Sequence, residues 1–344
     1  MDVLVIYQFC TFGGVERVVL NRARAFKKHN LNVKISVGYL RDRGALRSFQ
    51  QYIKANRLDD AVFPFILPTD LSHAWEKYDH VFIIDTPQAF EASTSAHSVY
   101  VECHTPYIQS RQYLGNMPGH IKGVFTPSRA FKTLVESEFP GITQVNVLPN
   151  PVSDEFFSIQ PLKGAIFTHR PLTYFARVED LKNFIEATRI FELTSDRLDV
   201  MFWVIGEGAD EKSLIHSLER KKLLSRSLLR DRIDFNKVPS LVGLVKKHRG
   251  VFLSPSKGES FGLSAAEFIS GGVPVLLSDI PPHCELVNED ERFLYPLGDV
   301  FAAREKLTNL LDDWENASRM AETYSQKFRS DVFIRQWQKL IQGA

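Results

Sequence analysis

Short β-rich apolar runs alternate with amphipathic helical patterns along nearly the whole chain, the signature of parallel βαβ units. Val3–Tyr7, Val33–Val37, His80–Ile84, Ser98–Glu102 and Lys122–Thr126 read as strands of a first set, with Val145–Pro151 as one more, ended by Asn150 and two prolines. Between the first two runs, Glu16–His29 places Val19, Leu20, Ala23 and Phe26 at helical spacing, with Arg and Lys on the other face. Ser153–Arg170 shows no clear period and reads as a linker. The pattern then restarts with strands at Leu172–Phe175, Val200–Ile205, Val251–Ser254 and Val273–Leu277. A helix is expected over Asn183–Thr194, and the Lys- and Arg-rich stretch Glu219–Arg232 carries Leu at helical spacing. A last helix, Asp331–Gln342, sets Phe333, Trp337 and Leu340 on one face. The expected architecture is α/β, with two doubly wound Rossmann-like domains over 1–155 and 156–330. The C-terminal helix, 331–344, is expected to pack back on the first domain. A length of 344 residues, about twice that of an ordinary domain, agrees with this division.

Charge excludes one class of partner. Lys plus Arg number 42 and Asp plus Glu 41, so no global field recruits nucleic acid. Basic residues exceed acidic ones by three over residues 1–150 and fall short by two over the rest. That leaves the first half open to an anionic acceptor or a membrane surface. The Arg17, Arg22, Arg24, Lys27, Lys28 face of the first helix could meet anionic lipid as a peripheral contact, or be solvated. Cys10, Cys103 and Cys284 lie far apart without CxxC spacing, which fits a reducing compartment better than a zinc site or disulfide framework. The first residues lack a basic n-region, and no window approaches the ~20 apolar residues that span a bilayer. A cytoplasmic protein is expected.

Three motifs bear chemistry. Phe12-Gly13-Gly14-Val15-Glu16 follows a strand and opens a helix. Glycine there permits a sharp turn and close approach of a ligand to free helix N–H groups, although a plain βα turn has the same spacing. Arg177 and Lys182 follow a strand's carboxyl end, the edge at which open α/β sheets bind ligands. Both could reach one anionic group such as a diphosphate, or each could pair with Glu179 or Asp180. In SPSKGESFGLSAAEFISGGVPV, Glu259 lies in a loop after a strand and Glu267 just past the first turn of the next helix. The amides of Gly262, Leu263 and Ser264 between them suit a phosphate, and the carboxylates suit sugar and ribose hydroxyls. A metal would want His, Cys or more carboxylates, and His248 and His283 lie beyond the neighbouring strands in sequence. Glu267 could equally serve only the helix dipole.

Taken together these segments resemble the retaining nucleotide-sugar glycosyltransferases of the GT-B fold, glycosyltransferase family 4, in the same order over nearly the whole chain. Gly13-Gly14-Val15-Glu16 looks like the family's N-terminal glycine loop. Pro149-Asn150-Pro151 is similar to its Pro-Asn-Gly hinge signature with Pro in place of Gly. Arg177 and Lys182 match its diphosphate clamp, with Ala176 where glycine is usual. Gly206-Glu207-Gly208 matches its Gly-x-Gly, and Glu259 with Glu267 its Glu-x7-Glu motif.

The resemblance implies two Rossmann-like domains facing across a cleft and closing about residues 150–170. It implies that Glu259 holds donor-sugar hydroxyls and Glu267 the ribose. The diphosphate would fall to Arg177, Lys182 and the backbone around Ser260, Phe261, Gly262 and Leu263, with Gly206 also on the donor side. Gly13 and Gly14 would approach the donor phosphate or acceptor, and His104 resembles the histidine that faces the donor sugar. The implied activity is retaining transfer of a hexose from a nucleotide-diphosphate sugar, with a UDP-sugar placed slightly ahead of a GDP-sugar. The acceptor would be a glycan, lipid-linked or small molecule of cell-surface polysaccharide or glycoconjugate synthesis. No DxD motif is present, and no metal or other cofactor is expected. The alternatives are a nucleotide-sugar epimerase of the same fold, or a non-catalytic sugar-nucleotide-binding subunit of a glycan-assembly complex.

Overall fold

The computed structural model describes residues 1–68, 75–142, 144–159, 168–194 and 196–342. The chain divides into two compact units: residues 1–153 together with the stretch from Arg329, and residues 154–328. Of the expected linker Ser153–Arg170, residues 160–167 lie outside the described residues, and Asp154–Ser158 forms a short 3-10 turn.

The first unit is built on β1 (Asp2–Cys10), β2 (Lys34–Asp42), β3 (Val62–Ile66), β4 (His80–Ile84), β5 (Val99–Glu102), β6 (Val124–Thr126) and β7 (Val145–Val147). All pair in parallel, in the order β3-β2-β1-β4-β5-β6-β7, so the winding reverses between β1 and β4. Val81–Ile84 and Leu4–Ile6 are almost wholly buried, as strands covered on both faces must be. The helix Ser330–Trp337 belongs to this unit: Trp337 lies 4.9 Å from Phe26 and 5.5 Å from Phe82, ring centre to ring centre. Gln336 Nε2 donates to the Val147 carbonyl.

The second unit repeats the plan with β8 (Arg170–Phe175), β9 (Val200–Ile205), β10 (Ser227–Arg230), β11 (Val251–Ser254), β12 (Val275–Ser278) and β13 (Leu294–Tyr295). Their order, β10-β9-β8-β11-β12-β13, reverses between β8 and β11. In each sheet this reversal leaves a crevice at the strands' carboxyl ends, where open α/β sheets take ligands.

The structure corrects several sequence expectations. Glu219–Arg232 is not one helix: the helix Glu211–Arg220 ends, a short turn follows, and Ser227–Arg230 forms edge strand β10. Strands β3 and β13 had no clear sequence signal. Of Val145–Pro151 only Val145–Val147 is strand, and the last bond to β6 comes from the Leu148 N–H to the Thr126 carbonyl, because Pro149 and Pro151 have no N–H to extend the ladder. Val273–Leu277 begins pairing at Val275, after Gly272 turns through φ +73 and Pro274. Among the described residues no helix is long and apolar enough to cross a membrane.

Candidate functional site

At the switch point of the second sheet, the loop after β8 meets the loop after β11. Two bonds stitch them together: Lys257 N–H donates to the Leu181 carbonyl at 2.9 Å, and Lys257 Nζ to Asp180 Oδ1 at 2.5 Å. This places Lys182 Nζ 2.5 Å from Glu259 Oε1, with the two side chains only 14% and 15% exposed. The Ser256 hydroxyl donates to the same oxygen at 3.0 Å. Oε2 has no partner among the described residues and remains able to accept. Burial alone would push the Glu259 carboxyl up, but the Lys182 charge and these hydrogen bonds outweigh it and hold it below the usual range.

Arg177 does not join this pair. Its guanidinium is 65% exposed and bonds Glu179 Oε1 at 3.0 Å, so the structure separates two cations that the spacing allowed on one anion. Lys182 ends a tight turn held by Asn183 in the left-handed conformation, whereas Arg177 leaves the strand pointing outward.

Glu259 is followed by the turn that opens the helix Leu263–Ser270, whose first-turn amides have no carbonyl one turn back. Gly262 opens it at φ +89, and a Cβ there would come within 3.1 Å of Leu286 and 3.6 Å of the His283 ring. Ser260 and Leu263 are both half-buried. Phe261 packs inward, 5.8 Å edge-to-face from Phe328, and so anchors the loop. Glu267 is only 2% exposed, buried in the helix. Gly206, at φ +147, lies against the β8 loop, and a Cβ on it would come 2.0 Å from the Ala176 carbonyl oxygen. Its glycine character is required by packing between two strand ends.

Sequence reasoning passed over the polar layer beneath Glu259. His283 is fully buried, with Nδ1 3.0 Å from the Ser278 carbonyl and Nε2 3.4 Å from Ser254 Oγ. Burial pushes its pKa down to about 4, with Lys182 lowering it further and Glu259 opposing, so the ring is neutral near pH 7. The folded value lies below the unfolded one, so between about 6.5 and about 4 the unfolded chain binds the extra proton. Stability therefore falls as pH drops through that window, by on the order of 3 kcal/mol in all. His283→Gln is expected to flatten that slope in urea unfolding between pH 7 and 4; an unchanged slope would assign the acid sensitivity elsewhere.

In the first unit, Gly13 caps the helix Gly14–Lys28, but Glu16 folds back on the loop. Its carboxylate accepts from Gly13 N at 2.6 Å and Thr11 N at 3.3 Å, and the residue is fully buried. A built-in negative group thus occupies part of the cradle that the glycine pair offered to a phosphate. His104, after β5, is held at both ends. Its N–H donates to Asp85, and its Nε2 lies 2.8 Å from Glu102 Oε2. Arg22 makes a two-pronged bond to Glu102, 2.7 and 2.8 Å, with both side chains at most 4% exposed. Burial would raise the Glu102 carboxyl, but Arg22 and His104 bring it down to about 2.

The basic row of the first helix is divided: Lys27 and Lys28 are exposed, and Arg22 is buried. Arg22 points into the protein, Arg24 donates to Tyr52 and Asn56, and Lys27 bonds Asp60. The amphipathic pattern showed which face was polar but not the acidic partner beneath Arg22.

Cys10 and Cys103 are buried thiols and Cys284 is half-buried; none is in a disulfide. Among the described residues no three His, Cys, Asp or Glu side chains stand together as a metal-holding group.

Residues 168–327 match the family described as glycosyl transferases group 1. A GDP-mannose:cellobiosyl-diphosphopolyprenol alpha-mannosyltransferase of Xanthomonas campestris is 28% identical over 150 residues, 43% of this chain and 38% of that protein. The match thus spans under two fifths of that relative's length. Among solved structures, Anabaena Alr3699/HepE in complex with UDP-glucose superposes with a TM-score of 0.79 at 16% identity, covering 100% of both chains. S. aureus TarM, in a complex containing UDP, gives a TM-score of 0.77 at 12% identity, covering 98% of this chain and 99% of that one. Two parallel-sheet α/β domains with these neighbours make the fold GT-B.

Proposed function

We propose that this chain is a retaining, metal-independent glycosyltransferase of family 4 that moves a hexose from a nucleoside-diphosphate sugar to a glycan, lipid-linked or small-molecule acceptor. The observation that carries the reading is the half-hidden Lys182–Glu259 pair at the carboxyl ends of β8 and β11, beside the open N-terminus of the helix Leu263–Ser270. Such a place supplies what a nucleotide sugar needs: a carboxylate oxygen for hydroxyls, and an ammonium and free amides for a diphosphate. The group 1 match over 168–327 covers these residues.

Glu259 accepts from sugar hydroxyls through Oε2. Lys182 and the first-turn amides oppose the charge that builds on the departing phosphate, and Arg177 joins them by swinging its exposed side chain from Glu179. Glu267 takes the ribose. Fixed positive groups do here what a divalent ion does elsewhere. With no nucleophilic side chain assigned to the sugar's far face, the acceptor attacks from the leaving-group side, which retains the anomeric configuration. Gly13, Gly14 and His104, all in the first unit, are assigned to substrate binding. UDP-sugars stand first as donors; the Xanthomonas relative's name keeps GDP-mannose beside them. Synthesis of surface polysaccharide or glycoconjugate in the cytoplasm, at or near the membrane, is the proposed setting.

A thermal-shift panel of UDP, GDP and ADP with their sugars, all in EDTA, tests this. At a ligand concentration of about 100 Kd the stabilisation is about 2.7 kcal/mol, a rise of several degrees. One nucleotide family is expected to raise the melting point without added metal. No shift from any nucleotide, or a shift only on adding Mg²⁺, would refute the corresponding part. Consumption of the donor without acceptor would favour an epimerase.

A further inference from the structure

We propose that His283, Ser278 and Ser256 form a buried relay that sets the orientation of the Glu259 carboxylate, making His283 a positioning residue for recognition of the donor's sugar hydroxyls. The inference rests on the donor-site reading above and adds residues to it. The relay follows from the hydrogen-bond inventory. The Ser278 carbonyl can only accept, so His283 carries its proton on Nδ1 and leaves Nε2 bare. Bare Nε2 then accepts from Ser254 Oγ at 3.4 Å. Ser254 thus spends its proton on the ring and fixes its orientation; its 3.2 Å approach to Ser256 Oγ has no proton to share and is a contact only. A carboxylate can only accept, so Ser256 turns its hydroxyl proton to Glu259 Oε1 at 3.0 Å. Ser278 Oγ is the link between ring and loop: it lies 3.1 Å from the protonated Nδ1, from which it accepts, and donates its own proton to the Ser256 carbonyl at 2.6 Å, which fixes the backbone from which the Ser256 hydroxyl projects.

From His283 through Ser278 and Ser256 every group is thus oriented by its neighbour, and the relay ends on a carboxylate with a spare oxygen. Two donors on Oε1, Lys182 and Ser256, fix the plane of the carboxylate and leave Oε2 to face a ligand. The setting argues against simple packing. Strands β11 and β12 are buried along their length, and Ser254, Ser256, Ser278 and His283 are each at most 9% exposed. Apolar side chains would fill such positions without the desolvation cost of hydroxyls and an imidazole. The same ring lies beneath Gly262, so one histidine supports both the carboxylate and the turn that opens the helix.

The test is titration calorimetry of Ser256→Ala, His283→Gln and Glu259→Gln with a nucleoside diphosphate and with its sugar. In Ser256→Ala and His283→Gln, affinity for the nucleoside diphosphate is expected to stay within about twofold. The extra affinity contributed by the sugar should fall about tenfold, the scale of one hydrogen bond to a charged group. Glu259→Gln should lose the same increment, and Ser256→Ala added to Glu259→Gln should cost nothing more. Equal losses for nucleotide and nucleotide sugar, or additive losses in the double variant, would overturn the relay and leave a merely structural layer. Ser256→Ala carries the test alone should His283→Gln unfold the domain. Failure of the unmodified protein to bind any nucleotide would instead overturn the donor-site reading itself, and the relay with it.

Discussion

Lys182→Ala is expected to lower turnover about 10²–10³-fold while changing donor affinity far less, because a fixed cation facing a departing phosphate acts mainly in the transition state. The geometry sharpens the expectation. Lys182 is not a free surface cation: it lies 2.5 Å from Glu259 Oε1, mostly hidden from water, where a charge is worth more than in solvent. When the glycosidic bond breaks, negative charge grows on the leaving phosphate, and an ammonium already in place needs no reorganisation to meet it. The same substitution strips Glu259 of its countercharge. Burial is the largest influence on that carboxyl and acts upward, so without Lys182 its pKa should rise. Activity of the variant should therefore recover partially toward higher pH, where Glu259 is again ionised. Steady-state kinetics over a pH series decides it. A raised KM with intact kcat would make Lys182 a ground-state binding group and remove it from the chemical step.

The strands that were legible and those that were not fall into a physical pattern. Val200–Ile205 and Val251–Ser254 lie inside a parallel sheet, buried on both faces, and such strands must be continuous apolar runs. The three strands without a clear sequence signal, β3, β10 and β13, are all at sheet edges. An edge strand has a free ladder side and less to bury, so it tolerates Pro64 in β3 and Arg230 at the end of β10. Short length hid β13, which has only two residues.

The site shows the same division between local and distant information. Glu259, Gly262 and Lys182 were legible because each belongs to a short motif at a strand's end. Their pairing was not, since Lys182 and Glu259 are 77 positions apart and meet only because β8 and β11 are neighbours. His283 was set aside for lying beyond the following strand. Yet β12 pairs alongside β11, and the chain leaving it returns His283 under the loop that holds Glu259. Arg22 was read as part of a polar helix face because one helix does not reveal a carboxylate on a strand 80 positions later.

That buried pair yields the largest stability effect. Arg22→Met should destabilise the first unit by about 3–5 kcal/mol, since it removes one partner and leaves the other charge buried. Arg22 is 4% and Glu102 1% exposed, so water cannot readily replace the guanidinium. In the unmodified protein Glu102 is held down to about 2, below the ordinary carboxylate value of 4.5, so its contribution is full above that value and is lost as pH falls through about 2. Without Arg22, burial dominates and the carboxyl is raised. The folded variant then binds a proton that the unfolded chain gives up, and its deficit should shrink as pH falls from 7 toward 5. The double substitution Arg22→Met with Glu102→Leu separates charge from packing: with no charge stranded, it should recover most of the loss. Urea unfolding followed at Trp337, which packs on Phe26 and Phe82 in the same unit, reads both variants. A single variant as stable as the parent would show that Glu102 is not a stranded charge. A double variant no better than the single would mean that His104, 2.8 Å from Glu102, is the partner whose loss matters, and that the carboxylate is kept for the histidine rather than for the arginine.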